Sequence, residues 1–488
     1  MGRKKPHPSS KGKHHQNHQS QQKRTDSNPK KNESNVLCEK LFRLCSDPVD
    51  VARLWNNYIE LTQVLDDINR LAEMKTRETK RSQATESFLQ WLKENNANVD
   101  SAALSEFSGY DMGLKANKDF AAGEIILEIP GSIILSTETA APELSALQND
   151  PLIQHMPQVA LAIALLVERH KDNSKWKPYL DILPNTYCTV LYMSALELGE
   201  LKGSPTLEPA LKQSRNIVRQ FAYFSQMFYN TRNPVSDLLR PYFNWEEYRW
   251  AVSTVMTRQN LIPSKNGTQM IHALIPMWDM CNHEEGEITT DFNLTSDTCV
   301  CYAKRSFTQG EQIFINYGPR TNSDFFVHSG FVYPDNKNDG FKLRLGISKA
   351  DNLYTDRINL LEKLGFTAPT VTFLLMSGSE PITEEMLAFL RVFSMRKAEL
   401  DHWLQSDKVF DLKHRDCALD TVVEENVRKF LLTRLKLLVA NYPTTLEEDL
   451  VLVTTPMTRE RMMPIQLRIL EKRILLGALD YVEQWMKA

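Results

Sequence analysis

Apolar positions along this chain recur with two different periods, and the places where the period changes mark its organisation. Val51, Leu54, Tyr58, Leu61, Leu65 and Ile68 fall in steps of three and four. That spacing predicts an amphipathic helix with a narrow apolar seam, packed along the main domain. Asp47 and Pro48 stand before it as candidate N-cap and first helical residue. Between Gly123 and Thr137 (GEIILEIPGSIILST) isoleucines crowd among Gly123, Pro130 and Gly131, the texture of short strands and turns. Residues 150–255 turn helical, with LAIALLVERH and the aromatics Phe221, Tyr223, Phe224, Phe228 and Tyr229. Strand signals return at Cys299–Phe307, Gln312–Gly318 and Phe341–Ser348. In the last of these, Phe341, Leu343, Leu345 and Ile347 alternate with Lys342, Arg344 and Gly346, as in a half-buried strand.

Beyond about residue 350 the pattern is helical throughout. Thr383 before Glu384 and Glu385 marks one helix start, and Thr445 with Glu448 forms a capping box. Leu467, Leu470, Ile474, Ala478, Tyr481 and Trp485 line one stripe of the last helix. The expected fold class is α+β. A helical segment at 36–85 precedes a strand-rich domain at 86–335 with a helical insertion at about 140–250, and an all-helical domain follows at 336–488. No internal repeat is visible.

Residues 1–35 differ from the rest, with nine Lys or Arg, two acids, four of the eleven histidines and almost no large apolar residue. Such a segment is expected to be a disordered basic tail. A solubilising leader is the plainer reading, and a nuclear-targeting or RNA-touching tail the alternative. The whole chain is 42% hydrophobic and 24% charged, as ordinary globular proteins are, and its net charge of −3 argues against a general nucleic-acid binder. No apolar run approaches the roughly 20 residues of a membrane span, and no apolar stretch follows the basic start as in a secretory signal. The seven cysteines are scattered without zinc-site spacing, so a reduced, intracellular protein without a metal is expected. The sequons at Asn32, Asn266 and Asn293 are then chance.

Candidate chemistry sits where IPMWDMCNHEEG (275–286) leaves an apolar run for Asp279, Cys281, Asn282 and His283. Polar groups at the end of a buried strand need partners, so this is either a self-satisfied core turn or a loop shaped around a ligand. Three other stretches join it: MTRQN (256–260), GEQIFINYGPRTN (310–322) and HSGF (328–331). Singly each has a plain structural reading: His283 as a core histidine, Tyr317 and Trp278 as packed aromatics, Arg258 and Arg320 as surface ions, Asn260 as a helix C-cap.

Together, Asn282-His283 followed by Gly310-Glu311 and Tyr317-Gly318 resembles the signature of SET-domain methyltransferases. Adding Arg219–Phe224, Met256–Asn260 and Ile275–His283, the chain is similar to the SET-domain actin-histidine methyltransferases, the SET domain-containing protein 3 family. The resemblance runs from about Arg81 to near the C-terminus. It implies a SET domain whose motif segments form a pseudoknot, followed by a substrate-binding domain of the Rubisco-methyltransferase type. The implied activity is that of an S-adenosyl-L-methionine-dependent protein-L-histidine N-tele-methyltransferase acting on actin; a monomer in the cytoplasm is expected, with the nucleus as a further location the tail offers. The implied donor-binding residues are Arg81, Tyr110, Asp111, Met112, Arg258, Asp279, Met280, Cys281, Asn282, His283, Ser329, Gly330 and Phe331. Tyr317 and Asn260 are the implied catalytic residues, with Arg219, Trp278 and Arg320 on the substrate. Asp111 departs from the pattern, since the related loop keeps a glycine there; aspartate tolerates positive φ better than most residues.

The chemistry behind these roles is simple. Displacement at a sulfonium methyl asks mainly for alignment of a neutral nitrogen with the S–CH₃ bond. Lysine must first lose a proton, whereas imidazole is largely neutral near pH 7 but must expose the correct nitrogen. The Asn260 amide can select that tautomer. The competing readings are a protein-lysine methyltransferase of the same fold and a non-catalytic actin-binding scaffold.

Overall fold

The computed structural model describes residues 29–71, 80–417 and 419–485. Helices Pro29–Ser46 and Val51–Leu71 pack against each other and against the long helix Leu207–Asn230. The expected seam is buried from Leu54 to Ile68, while Val51 at its start lies in solvent. Two expectations change here. Asp47 and Pro48 lie in the bend before the second helix, and Asp50 caps it instead, its Oδ1 accepting from the Ala52 N–H at 3.1 Å. The expected disordered tail falls on residues 1–28, outside the described residues, but residues 29–35 open the helix Pro29–Ser46. A third helix, Arg81–Glu94, runs across the expected boundary at 85.

Twelve short strands follow among the described residues. β1 (Ala102–Phe107), β2 (Tyr110–Ala116), β10 (Gln312–Ile315) and β7 (Asn282–His283) form one sheet in that order. β3 (Ile125–Pro130), β9 (Thr298–Tyr302) and β8 (Thr290–Asn293) form a second, and β4 (Leu135–Ser136), β6 (Met270–Leu274) and β5 (Asn260–Pro263) a third. All pairings are antiparallel except one: β7 runs parallel to β10, setting Asn282 beside Phe314 and His283 beside Ile315. The expected helical insertion lies between β4 and β5. Its helix Pro157–His170 is buried on nearly every side from Val159 to Arg169, which is why its sequence is apolar all round.

The C-terminal domain is not all-helical. β11 (Gly340–Gly346), the alternating strand, pairs antiparallel with β12 (Thr370–Met376), from Gly340 opposite Met376 to Gly346 opposite Thr370. The molecule holds two hydrophobic cores. One gathers residues from Cys38 to Val327, the other from Phe341 onward, and the last helix, Arg459–Gln484, serves both. Its Met463 and Leu467 enter the first core, and Ile474, Leu475, Ala478 and Val482 the second.

Between the cores the same helix carries a buried polar network. Glu471 accepts hydrogen bonds from the hydroxyls of Ser204 (2.8 Å), Thr206 (2.8 Å) and Tyr442 (2.7 Å). Arg468 and Lys472 converge on Asp449, each at 2.6 Å, and Arg468 also reaches Glu200. Buried charges persist only when paired and hydrogen-bonded, and these are. All seven cysteines are free thiols, with Cys299 and Cys301 both buried on β9. Among the described residues no cluster of side chains suits a metal, and no helix is long and apolar enough to cross a membrane.

Candidate active site

The loop that follows β6 is shaped by one strained residue. Met277 takes φ 71° and ψ −50°, a backbone state that side-chain-bearing residues rarely adopt. It reverses the chain into a single 3₁₀ turn, Trp278–Met280, and β7 starts two residues later. Trp278 anchors this turn: it is 1% exposed, and its indole N–H donates to Thr290 Oγ1 at 2.8 Å. The residue expected against the substrate therefore lies in the core beneath the loop.

Under the turn lies a buried ionic group. The Tyr179 hydroxyl donates to Asp279 Oδ2 at 2.5 Å, and Arg258 Nη1 donates to the Asp279 carbonyl at 2.6 Å and stands 3.9 Å from Asp279 Oδ2. Burial pushes the Asp279 carboxyl up to about 6, against the pull of Arg258 and the Tyr179 hydrogen bond. Arg81 completes the cluster, donating to the Ile182 carbonyl at 2.8 Å and facing the Met112 sulfur at 3.7 Å. Two buried atoms, Arg258 Nε and Asp279 Oδ1, have no partner among the described residues. Unpaired buried polar atoms are costly, so this is a place where a polar ligand repays binding.

Above the turn, the parallel β7–β10 pair brings the two motif segments together. Asn282 Nδ2 donates to Gln312 Oε1 at 2.9 Å and to the Met112 carbonyl at 3.3 Å, tying β7 to β10 and β2 at once. Gly113 permits this, since a Cβ there would lie 2.6 Å from Gln312 Oε1 and 3.0 Å from Asn282 Nδ2. His283 Nδ1 accepts the Tyr317 N–H at 3.2 Å. Burial pulls its ring down to about 4, so it remains a neutral acceptor. The Tyr317 hydroxyl donates to the Cys281 carbonyl at 2.6 Å, and burial raises its pKa, keeping it protonated. Tyr317 is thus held at both ends by the opposing segment.

Phe325–Ser329 forms a π-helical turn that ends at Gly330 with φ 72°. A Cβ on Gly330 would come within 2.8 Å of the Cys188 backbone, so this position needs glycine twice over. Phe331 then stacks on Phe325 at 4.7 Å and meets Tyr317 edge-on at 5.9 Å. Across the cleft, Tyr110 lies edge-on to Phe314 at 5.5 Å. A cavity of about 510 Å³ opens here between Tyr110, Asp111 and Phe331 on one side and Arg459, Met462 and Met463 on the other, a size suited to a small molecule. Asp111 sits in β2 without positive φ, so the glycine of the related loop is not demanded by backbone geometry.

The structure therefore brings Arg81, Tyr110, Asp111, Met112, Arg258, Asp279, Met280, Cys281, Asn282, His283, Phe331 and Tyr317 into one continuous neighbourhood, with Ser329 and Gly330 on the turn that delivers Phe331. Asn260 opens β5 just past the helix Trp245–Arg258, where Gln259 takes the C-cap position; its Nδ2 donates to the Arg258 carbonyl at 3.2 Å. Arg219 and Arg320 are exposed. The charge of Arg219 acts on Cys45 of the first helix, and that of Arg320 on His283 and His328. Sequence reasoning missed Tyr179, Gln312, Arg459 and Met462. Gln312 stands inside the 310–322 stretch but carried no signal of its own, and the other three reach the site from distant elements with no motif around them.

Two family models match the chain: the SET domain over residues 111–318 and the Rubisco LSMT substrate-binding domain over residues 348–475. Among curated proteins, the actin-histidine N-methyltransferase of Xenopus tropicalis is 37% identical over 455 residues, spanning 91% of this chain and 78% of the relative. Those of Mus musculus and Homo sapiens are each 36% identical over 449 residues, spanning 90% of this chain and 75% of the relative. Among solved structures, Rubisco LSMT bound to AdoMet aligns with a TM-score of 0.67 at 24% identity, over 82% of this chain and 92% of that one. The SET domain of LSMT bound to lysine and AdoHcy aligns at 0.66 with 23% identity, over 83% and 91%. The structural likenesses establish the two-domain fold, and the curated relatives the family.

Proposed function

The chain belongs to the actin-histidine N-methyltransferase family, and from that premise we propose that it methylates one histidine of actin from S-adenosylmethionine. The observation that carries the reading is the doubly held Tyr317, pinned by Cys281 and His283 beside a cavity of donor size. The residues present fit such a donor. The cavity offers aromatic walls at Tyr110 and Phe331, and the orphaned Arg258 Nε and Asp279 Oδ1 offer polar contacts in the adjoining buried cluster. Arg81 adds a second guanidinium for a carboxylate. When bound, the donor supplies a methyl group on a sulfonium, whose S–C bond breaks with its electron pair as the new N–C bond forms.

The rest falls to this chain's own side chains. Asn260 commits its Nδ2 to the Arg258 carbonyl, and among the described residues no hydrogen bond occupies its Oδ1. That oxygen is suited to accept Nδ1–H of an incoming neutral imidazole, which leaves Nε2, the tele nitrogen, as nucleophile. Arg258 links this selector to the donor cluster, because its guanidinium holds the Asp279 turn while its carbonyl holds Asn260. Tyr317 keeps its proton, donated to the Cys281 carbonyl, so that its oxygen lone pairs would be left to face the reacting methyl. Exposed Arg219 and Arg320 are available to grip the substrate. The methylated ring is a cation and gives its Nδ1 proton to water on release. No bound metal enters the scheme. We place the enzyme in the cytoplasm, with the nucleus as a further location.

Mass spectrometry of actin incubated with enzyme and donor tests this. The expected result is one methyl mapped to a histidine ring. A methyl mapped to lysine would make the chain a lysine methyltransferase of the same fold, and unchanged actin despite donor binding would leave it a scaffold.

A further inference from the structure

We propose that the start of the last helix forms the outer wall of the donor cavity, and that an ion pair between Asp111 and Arg459 closes its rim. The inference rests on the cavity being the donor's, as argued above. It gives the C-terminal domain a second task beside substrate binding, because Arg459, Met462 and Met463 belong to that domain's helix while Tyr110, Asp111 and Phe331 belong to the SET domain.

The two walls differ in chemistry in a useful way. Tyr110 and Phe331 present ring faces and edges, and Met462 and Met463 present flexible thioethers that adapt to a planar heterocycle. Asp111 lies between two guanidiniums. Its charge acts inward on Arg81, and outward it pairs with Arg459 Nη1 at 3.6 Å. Asp111 is 83% exposed at its side chain and Arg459 49%. Rim charges of this kind alter exchange rates and their salt dependence more than binding depth. The donor must pass this rim to enter or leave, so the pair acts as a latch.

The test uses the full-length enzyme with S-adenosylmethionine, following affinity by calorimetry and release by stopped-flow fluorescence. Asp111→Ala and Arg459→Ala are each expected to speed release about three- to fivefold at low salt, with the difference vanishing at high salt. The double variant should release no faster than either single one. Met462→Glu sets a carboxylate in the apolar wall and should weaken donor binding about tenfold or more. Unchanged release in both alanine variants, or effects that simply add in the double variant, would overturn the latch. Unchanged affinity in Met462→Glu would overturn the wall. If the unmodified enzyme bound no donor, the functional reading itself would fall, a result distinct from the others.

Discussion

Replacing Glu471 with glutamine probes the buried network between the two cores, and its effect is worked from three hydrogen bonds and one displaced titration. Burial raises this carboxyl from 4.5 to about 7, although the hydroxyls of Tyr442, Ser204 and Thr206 pull the other way; nearby Asp339 adds to the rise. The folded chain therefore keeps a proton that the unfolded chain has released. Its contribution to stability is fully present below pH 4.5 and is lost as pH rises through 7. At about 1.4 kcal/mol per pH unit, the loss amounts to about 3 kcal/mol. Glutamine keeps the shape, keeps an oxygen for Ser204 and Thr206, and turns its amide hydrogens to the Tyr442 oxygen, but it does not titrate. Urea unfolding of both proteins between about pH 5 and 8 should show near-equal stability at the acid end. By the alkaline end the variant should have gained about 2 to 3 kcal/mol on the parent. A difference that does not change with pH refutes the reasoning.

Other outcomes follow from the site. Gly113→Ala drives a methyl into the Asn282–Gln312 pair and should cost about tenfold or more in donor affinity by calorimetry. Tyr317→Phe leaves the Cys281 carbonyl without its donor; destabilisation of about 1 to 3 kcal/mol and a fall in turnover of about a hundredfold are expected, while donor affinity holds within about threefold. His283 should show no protonation above pH 5 in an NMR titration, since its folded value is about 4. The stability this neutral ring contributes is present above the ordinary value of 6.5 and is lost as pH falls toward 4, and a midpoint near 6.5 would count against its role as acceptor for Tyr317.

Much of this was legible in the residues themselves. β11 was readable because Phe341, Leu343, Leu345 and Ile347 alternate cleanly, one face buried. Its partner β12 was not: TVTFLLM ends in a continuous apolar run, which looks the same in a buried helix. Asp47 before Pro48 carries the stronger capping signal, and only the chain's path decides for Asp50. Residues 29–35 lack apolar side chains, yet they extend a helix whose Leu41 and Cys45 pack in the core, because helix growth from a formed turn is cheap. At the site, Asn282, His283 and Tyr317 stand in contiguous motifs. Tyr179, 100 positions from Asp279, and Arg459, on another domain, become neighbours only through tertiary packing. Trp278 was expected to face the substrate, but its position under the Met277 turn follows from a backbone reversal no residue type announces.

The helix Arg459–Gln484 lends side chains to both cores, and this bears on how the protein is made. During synthesis neither half can close when its own residues leave the ribosome, because each still lacks a face supplied some 130 or more positions beyond Val327. Apolar surface beside the short helix that holds Leu198, and again on β11 and β12, waits for the same late segment. A premature stop anywhere before Arg459 would thus spoil the first half as surely as the second, and nascent chains of this protein should lean on holdase chaperones until that helix emerges.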